Sequence, residues 1–353
     1  MNNTYFYQDK SVFGLDIGFS SLKVMQIDWI GNKQVVTGYG VTSFDPRAIN
    51  DGVIVEPELI AKVMKELYDR NILGEITTKR VTASIPASRT YNRTLNLPKL
   101  NKKDLVEALR LEAEQYIPVP IDDLYIDFNM IQETDKESEL LAVAAPKKIV
   151  DSYVDLAKMC GLEPIALETS IGAAGRLFVQ AEQSDVPTIL IDFGSVSSDI
   201  TIYDDGLIVT GTVSGGGDNF TDLIAKKLKV TKQEAHIIKT KYGLGVSKKQ
   251  KEITDALSPI LEQLLKEIRR MIRYYEERSA TKRKISQVVT MGGGANMPGL
   301  SEHMTNILRL PSRMCDPWQH LDFSKLQPPN TVEKSMYVTV AGLALLNPKE
   351  VFA

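Results

Sequence analysis

A short glycine-punctuated pattern occurs twice in this chain, nearly half its length apart. The first copy reads Val12-Phe13-Gly14-Leu15-Asp16-Ile17-Gly18-Phe19-Ser20-Ser21-Leu22-Lys23-Val24. The second reads Ile189-Leu190-Ile191-Asp192-Phe193-Gly194-Ser195-Val196-Ser197-Ser198-Asp199-Ile200. Each is an apolar, β-branched run that passes through Asp-x-Gly and several hydroxyl residues and then resumes as a strand. That pattern predicts a β-hairpin whose tip offers backbone N–H groups, hydroxyls and one carboxylate. Such a tip suits a phosphate, because glycine lets the backbone approach closely and free amides favour anions. A carboxylate aimed at a phosphate would repel it. It makes sense if it holds Mg²⁺ through water, since Mg²⁺ keeps much of its hydration shell. Two such hairpins face to face would clamp one nucleotide between two similar halves.

The rest of the chain fits that plan. Its 353 residues suffice for two to three domains. Residues 34–44 continue the first hairpin as strand, and residues 57–71 read as a helix with Ile60, Val63, Met64 and Leu67 at helical spacing. A β-α-β-β block follows. Residues 81–86 end one strand, and Tyr91, Arg93, Leu95 and Leu97 alternate on the next. Asn101 caps a helix with Leu105, Leu109, Ala113 and Tyr116 on one stripe, and Leu124, Ile126, Phe128 and Met130 alternate before a turn into residues 140–145. Residues 147–160 read as a helix closed by Gly161, residues 163–166 as strand, and residues 168–178 as a helix rich in small residues, suited to close approach at a hinge. Beyond the second hairpin, Ile253, Leu257, Ile260, Leu264, Ile268, Met271 and Tyr275 form one seam of a long amphipathic helix. A strand then enters Gly292-Gly293-Gly294, and residues 336–346 close as a helix. The fold class expected is α/β in two halves, each opened by a hairpin.

Several function classes drop out. No Gly-x-x-x-x-Gly-Lys-Ser/Thr run exists, and the glycine triplet lacks dinucleotide-fold spacing. Cys160 and Cys315 match no metal or redox spacing, and His236, His303 and His320 make no ligand pair, so no structural metal is expected. Residues 226–284 carry 17 Lys/Arg against 7 Asp/Glu, but without aromatic interleaving this reads as a solvated helical face or an anion-contacting surface rather than a nucleic-acid module. No apolar run approaches a membrane span, and Met1-Asn2-Asn3-Thr4-Tyr5-Phe6-Tyr7 is not a signal peptide. The chain reads as cytoplasmic.

The order of hairpin, small-residue helix, hairpin, glycine turn and terminal small-residue helix resembles the actin-like ATPase superfamily: two RNase H-like halves around a nucleotide cleft. Within it, the whole chain resembles the PilM family of type IV pilus assembly, on the FtsA-like branch. The most specific matches are Leu95-Asn96-Leu97-Pro98, Glu107-Ala108-Leu109-Arg110, Glu112-Ala113-Glu114-Gln115-Tyr116-Ile117-Pro118 and Asp127. The resemblance implies ATP and Mg²⁺ as cofactors. Asp16 and Asp192 would hold the ion through water. Gly18, Ser20, Ser21, Gly194, Ser195 and Ser197 would line the phosphates, with Lys23 as charge partner. Gly215, Gly216, Gly217, Gly292, Gly293, Gly294 and Asn296 would approach phosphates and nucleoside, and Lys239 would reach the base or ribose. Glu168, by its place in the first connecting helix, is the candidate for orienting water, with a dipole-facing helix-start acid as the plainer alternative. Turnover would be slow at most.

The resemblance also divides the chain. Residues 1–82, 147–185 and 336–353 form a first large subdomain, and 83–146 an inserted one. Residues 186–220 and 286–335 form a second large subdomain, and 221–285 a basic helical one. Family members bind the N-terminal tail of the inner-membrane protein PilN between the first large subdomain and the insert. Leu95, Leu97, Leu109, Tyr116 and Ile117 are expected near that groove, or simply in the insert's core. Localisation would then be peripheral to the inner membrane through the partner, without direct insertion. Self-association is a further option, and nucleic acid is not a partner. Where the family often has Ala-Glu-x-x-Lys, this chain has Ala235-His236-Ile237-Ile238-Lys239. A neutral imidazole bonds a ribose hydroxyl more weakly than a carboxylate, and Glu234 is the neighbouring acid. An FtsA-like division scaffold and a small-molecule kinase of the same superfamily are the alternatives. The chain's end at Ala353 leaves little room for an FtsA-type membrane helix.

Overall fold

The computed structural model describes residues 10–182, 186–278, 283–324, 326–331 and 333–351. The amino-terminal stretch read above as no signal peptide, and the last two residues, lie outside them. The first sheet has strand order Glu163–Thr169, Arg80–Ile85, Phe13–Ile17, Ser21–Ile30, Lys33–Ser43, Leu321–Asp322, with Leu73–Gly74 also pairing Lys33–Ser43. The second has order Leu207–Ser214, Ser197–Tyr203, Thr188–Phe193, Gln287–Met291, Ser312–Met314. The two are built alike. Phe13–Ile17 pairs antiparallel with its hairpin mate and parallel with Arg80–Ile85. Thr188–Phe193 pairs antiparallel with its mate and parallel with Gln287–Met291. Every residue of Phe13–Ile17 is buried, as expected of a central strand covered on both faces. The central strand of each half delivers its hairpin tip to the same cleft.

The insert forms a separate three-stranded sheet, Tyr91–Pro98, Glu137–Pro146, Leu124–Glu133, under the helix Lys102–Tyr116. Asn101 starts that helix by accepting from the N–H groups of Lys103 and Asp104, two donors the helix leaves unpaired. Leu105 and Leu109 pack on Leu95, Leu97 and Leu140. In the second half, the helix Gln250–Arg278 lays its apolar seam under the sheet, joining Ile200, Ile202 and Phe193 in one core. The seam differs from expectation at one place. Leu261 is buried, while Ile260 is half-buried against Gly215.

Two helices connect the halves, Ser170–Glu182 and Val338–Ala344. They cross backbone on backbone, because a Cβ at Gly342 would lie 1.9 Å from the carbonyl oxygen of Ala173. Around them lies a core shared by both sheets: Met25, Val36 and Tyr39 from the first, Leu190, Val289 and Met291 from the second. Both helices start later than the sequence suggests. Residues 163–169 form a strand parallel to Arg80–Ile85, so the first helix begins at Ser170 rather than at Glu168. A 3-10 turn, Lys334–Tyr337, precedes the second. No helix among the described residues is long and apolar enough to cross a membrane.

Candidate functional site: a carboxylate-lined cleft between two hairpins

The first hairpin closes through the Gly18 N–H donating to the Ser21 carbonyl at 2.9 Å. Its register sets Asp16 directly opposite Lys23. The Lys23 ammonium donates to Asp16 Oδ2 at 3.0 Å, and the Ser84 hydroxyl donates to Asp16 Oδ1 at 2.7 Å. Asp16 and Lys23 are both buried. Each charge therefore compensates the desolvation of the other.

The second hairpin repeats the geometry with one change of sign. Asp192 lies opposite Asp199, where the first hairpin has Lys23 opposite Asp16. Burial, then the charges of Asp199 and Asp16, pushes the Asp192 carboxyl up to about 7, and Lys23 only partly offsets this. Burial raises Asp199 to about 6, moderated by the Thr212 hydroxyl donating to Asp199 Oδ1. The cleft thus brings together four carboxylates, those of Asp16, Asp192, Asp199 and Asp218, and two lysines, Lys23 and Lys239. A hydrated divalent cation suits such a charge deficit. Among the described residues no acid, histidine or cysteine cluster converges at direct metal-ligand distance, and an ion at this cleft would have to be held through its waters.

Glycines let the remaining walls close in. A Cβ at Gly216 would lie 2.4 Å from the carbonyl oxygen of Gly194, and the Gly217 N–H donates to that same oxygen. Gly292 has φ +82°, and a Cβ there would lie 2.1 Å from Asp192 Oδ1. The Gly292 turn is pinned to the second connecting segment, with its N–H on the Ser335 carbonyl and the Ser335 hydroxyl on its own carbonyl. Lys239 is buried and donates to the Gly217 carbonyl at 2.7 Å, and burial lowers its ammonium. His236 lies on the same wall, its imidazole lowered by desolvation and by Lys239, and so neutral at physiological pH. Glu234 is not available as a substitute acid. It closes a capping box with Thr231 on the exposed helix start.

The structure brings Asp16, Gly18, Ser20, Ser21, Lys23, Asp192, Gly194, Ser195, Ser197, Gly217, Lys239, Gly292, Gly293 and Gly294 to one cleft. Gly215, Gly216 and Asn296 are not among the residues that line it. Glu168 lies elsewhere. It is the next-to-last residue of the strand Glu163–Thr169, its carboxylate accepts from Arg176 at 2.7 Å, and Arg176 also donates to the Gly342 carbonyl. The pair ties the two connecting helices together. Asp199, Ser84 and Asp218 also line the cleft and were not singled out from sequence. Of the five residues expected near a partner groove, Leu95, Leu97, Leu109 and Ile117 are core of the insert. Tyr116 alone is half-exposed, with the Arg93 guanidinium 4.5 Å above its ring.

Comparison with known proteins puts this geometry in context. The pattern of the family described as type IV pilus assembly protein PilM matches residues 14–347. The cell division protein FtsA of Bacillus subtilis (strain 168) is 22% identical over 358 residues, covering 90% of this chain and 80% of that protein. A solved PilM–PilN type IV pilus biogenesis complex superposes with TM-score 0.82 at 24% identity, covering 95% of this chain and 98% of that one. MreB5 of Spiroplasma citri bound to ADP gives TM-score 0.54 at 12% identity, over 98% of each chain. The fold is that of the actin-like ATPases.

Proposed function

The chain belongs to the PilM family of type IV pilus assembly proteins, and from that premise we propose that it is a cytoplasmic Mg–ATP-binding scaffold that docks the N-terminal tail of a PilN-like inner-membrane protein. One observation carries the nucleotide half: Asp16, Asp192 and Asp199, from two hairpins of separate sheets, converge on one cleft with Lys23 as their facing cation. The tips supply amides and hydroxyls to phosphates. Asp16 and Asp192 would hold Mg²⁺ through water, and Lys239 and His236 would face the nucleoside. The charge of such an ion would favour the ionised forms of Asp192 and Asp199, which burial disfavours. Glu168 is paired with Arg176 and does not line the cleft, which supports a site that binds and turns over slowly at most.

The tail would meet the insert on the sheet face away from its own helix. Leu95 and Leu97 point into the core, so their neighbours Thr94 and Asn96, and Leu141 and Val143 on the next strand, take the opposite face. On the outer strand Tyr125 is exposed and its hydroxyl donates to Asp151 of the helix Lys147–Met159, across the gap between insert and first half. A tail laid there as an extended strand would gain specificity from alternate side-chain positions. The test is fluorescence anisotropy of a labelled PilN-type tail peptide with and without Mg–ATP. Saturable binding that shifts with nucleotide supports the whole reading. Binding indifferent to nucleotide leaves an adaptor without a switch, and no binding removes the partner.

A further inference from the structure

Two sheet edges meet beside the cleft. Tyr91–Pro98 is an edge strand of the insert's sheet, and Leu207–Ser214 is an edge strand of the second half's sheet. The Thr94 hydroxyl donates to the Ile208 carbonyl at 2.9 Å, and the Asn92 amide donates to the Thr210 hydroxyl at 3.4 Å. Two residues forward on one strand match two residues back on the other, so the strands lie antiparallel and in register. Side chains join them, and no ladder pairs these two strands among the described residues. Between them lies a cavity of about 320 Å³, walled by Arg93 and Tyr116 from the insert and by Asp199 and Thr212 from the second half. Asn92 Oδ1 is buried beside it without a partner. A polar, loosely filled seam can part and rejoin far more easily than a packed core.

Both strands run directly into the cleft. Pro86 and Ser88, just before Tyr91–Pro98, line it, and Ser214 leads to Gly217, which is bonded to the second hairpin tip. Asp199 lines both the cleft and the cavity under the insert. We propose that this side-chain-bonded pair of strand edges is a latch: closing the cleft seats the insert against the second half, and opening it releases the insert together with its docking face. The ligand that closes the cleft is taken from the proposed function, but the latch itself is a property of the ligand-free chain.

The test is hydrogen exchange, read by mass spectrometry over residues 91–98 and 207–214, in the parent chain and in T94V and N92A. T94V keeps the shape and removes the donor; N92A is the second variant, and circular dichroism checks that each folds. Loss of one such bond should speed exchange in both strands about two- to tenfold, with Phe13–Ile17 and Thr188–Phe193 unchanged. Mg–ATP should slow exchange in both strands of the parent chain, and do so less in both variants. Unchanged exchange in both variants, or faster exchange confined to residues 91–98, overturns the latch. If Mg–ATP fails to bind the parent chain, the nucleotide reading falls, while the ligand-free comparison still decides the latch.

Discussion

Replacing Asp192 with Asn should make the ligand-free protein more stable at pH 8 while abolishing its response to Mg–ATP. Asp192 is held up at about 7, mainly by burial and then by Asp199 and Asp16. An unfolded aspartate titrates near 3.9, so the folded chain binds the extra proton between roughly pH 4 and pH 7. Stability from the neutral form is therefore present at acid pH and lost as pH rises through 7. A shift of about three units corresponds to about 4 kcal/mol, and water at the cleft mouth reduces this to about 2–4 kcal/mol. For a single transition of this size, that is an increase of about 3–5 °C in Tm. Scanning calorimetry from pH 4 to pH 8 would show the gain growing with pH and vanishing near pH 4. With saturating Mg–ATP the order should reverse, since ligand binding stabilises only the parent chain. A variant no more stable than the parent at pH 8 would refute the buried-charge argument. An equal nucleotide-induced shift in both proteins would refute the two-hairpin clamp.

Other substitutions test other parts. Gly342→Ala should destabilise by about 3 kcal/mol or more, because its Cβ has nowhere to go against Ala173; Gly161→Ala, with φ +69° but open space around it, should cost only about 1 kcal/mol, and thermal melts compare the two. His236→Glu should tighten nucleotide binding several-fold in calorimetric titration if this position faces the ribose, and leave it unchanged if it does not. Leu109→Ala should cost about 2–4 kcal/mol of insert stability, whereas Tyr125→Ala should weaken tail-peptide binding with little change in melting. Mg²⁺ affinity for the nucleotide complex should rise between pH 6 and pH 8, as Asp192 and Asp199 lose their protons to make room for the ion.

Much of the site was legible because period-two apolar runs and Asp-x-Gly turns are local signals, needing nothing from the rest of the chain. Asp199 was legible too, yet passed over. It stands the same number of residues after Asp192 as Lys23 does after Asp16, so hairpin symmetry alone puts it opposite. Glu168 falls on the helix in the sequence reading because the strand legible at residues 163–166 runs on to Thr169 against its parallel neighbour Arg80–Ile85, and where a strand stops is set by tertiary pairing more than by local pattern. The groove residues, read also as plain insert core, stayed undecided for a related reason. Neither face of Tyr91–Pro98 and Glu137–Pro146 is uniformly polar, since Arg93 shares the face of Leu95 and Leu97 while Glu139 shares that of Leu141 and Val143, so alternation shows that two faces exist without showing which one the insert's helix covers.

The core astride the two connecting helices also decides how the molecule comes apart. A chain made of two look-alike halves invites the expectation of two melting steps and of fragments that fold alone. Here Leu190, Val289 and Met291 of one sheet are buried in the same cluster as Met25, Val36 and Tyr39 of the other. Neither half can unfold without stripping apolar cover from its neighbour. The molecule should therefore melt in a single cooperative event, and either half expressed by itself would carry a sticky, uncovered face. The two halves share one strand plan, but the shared interior makes them one folding unit.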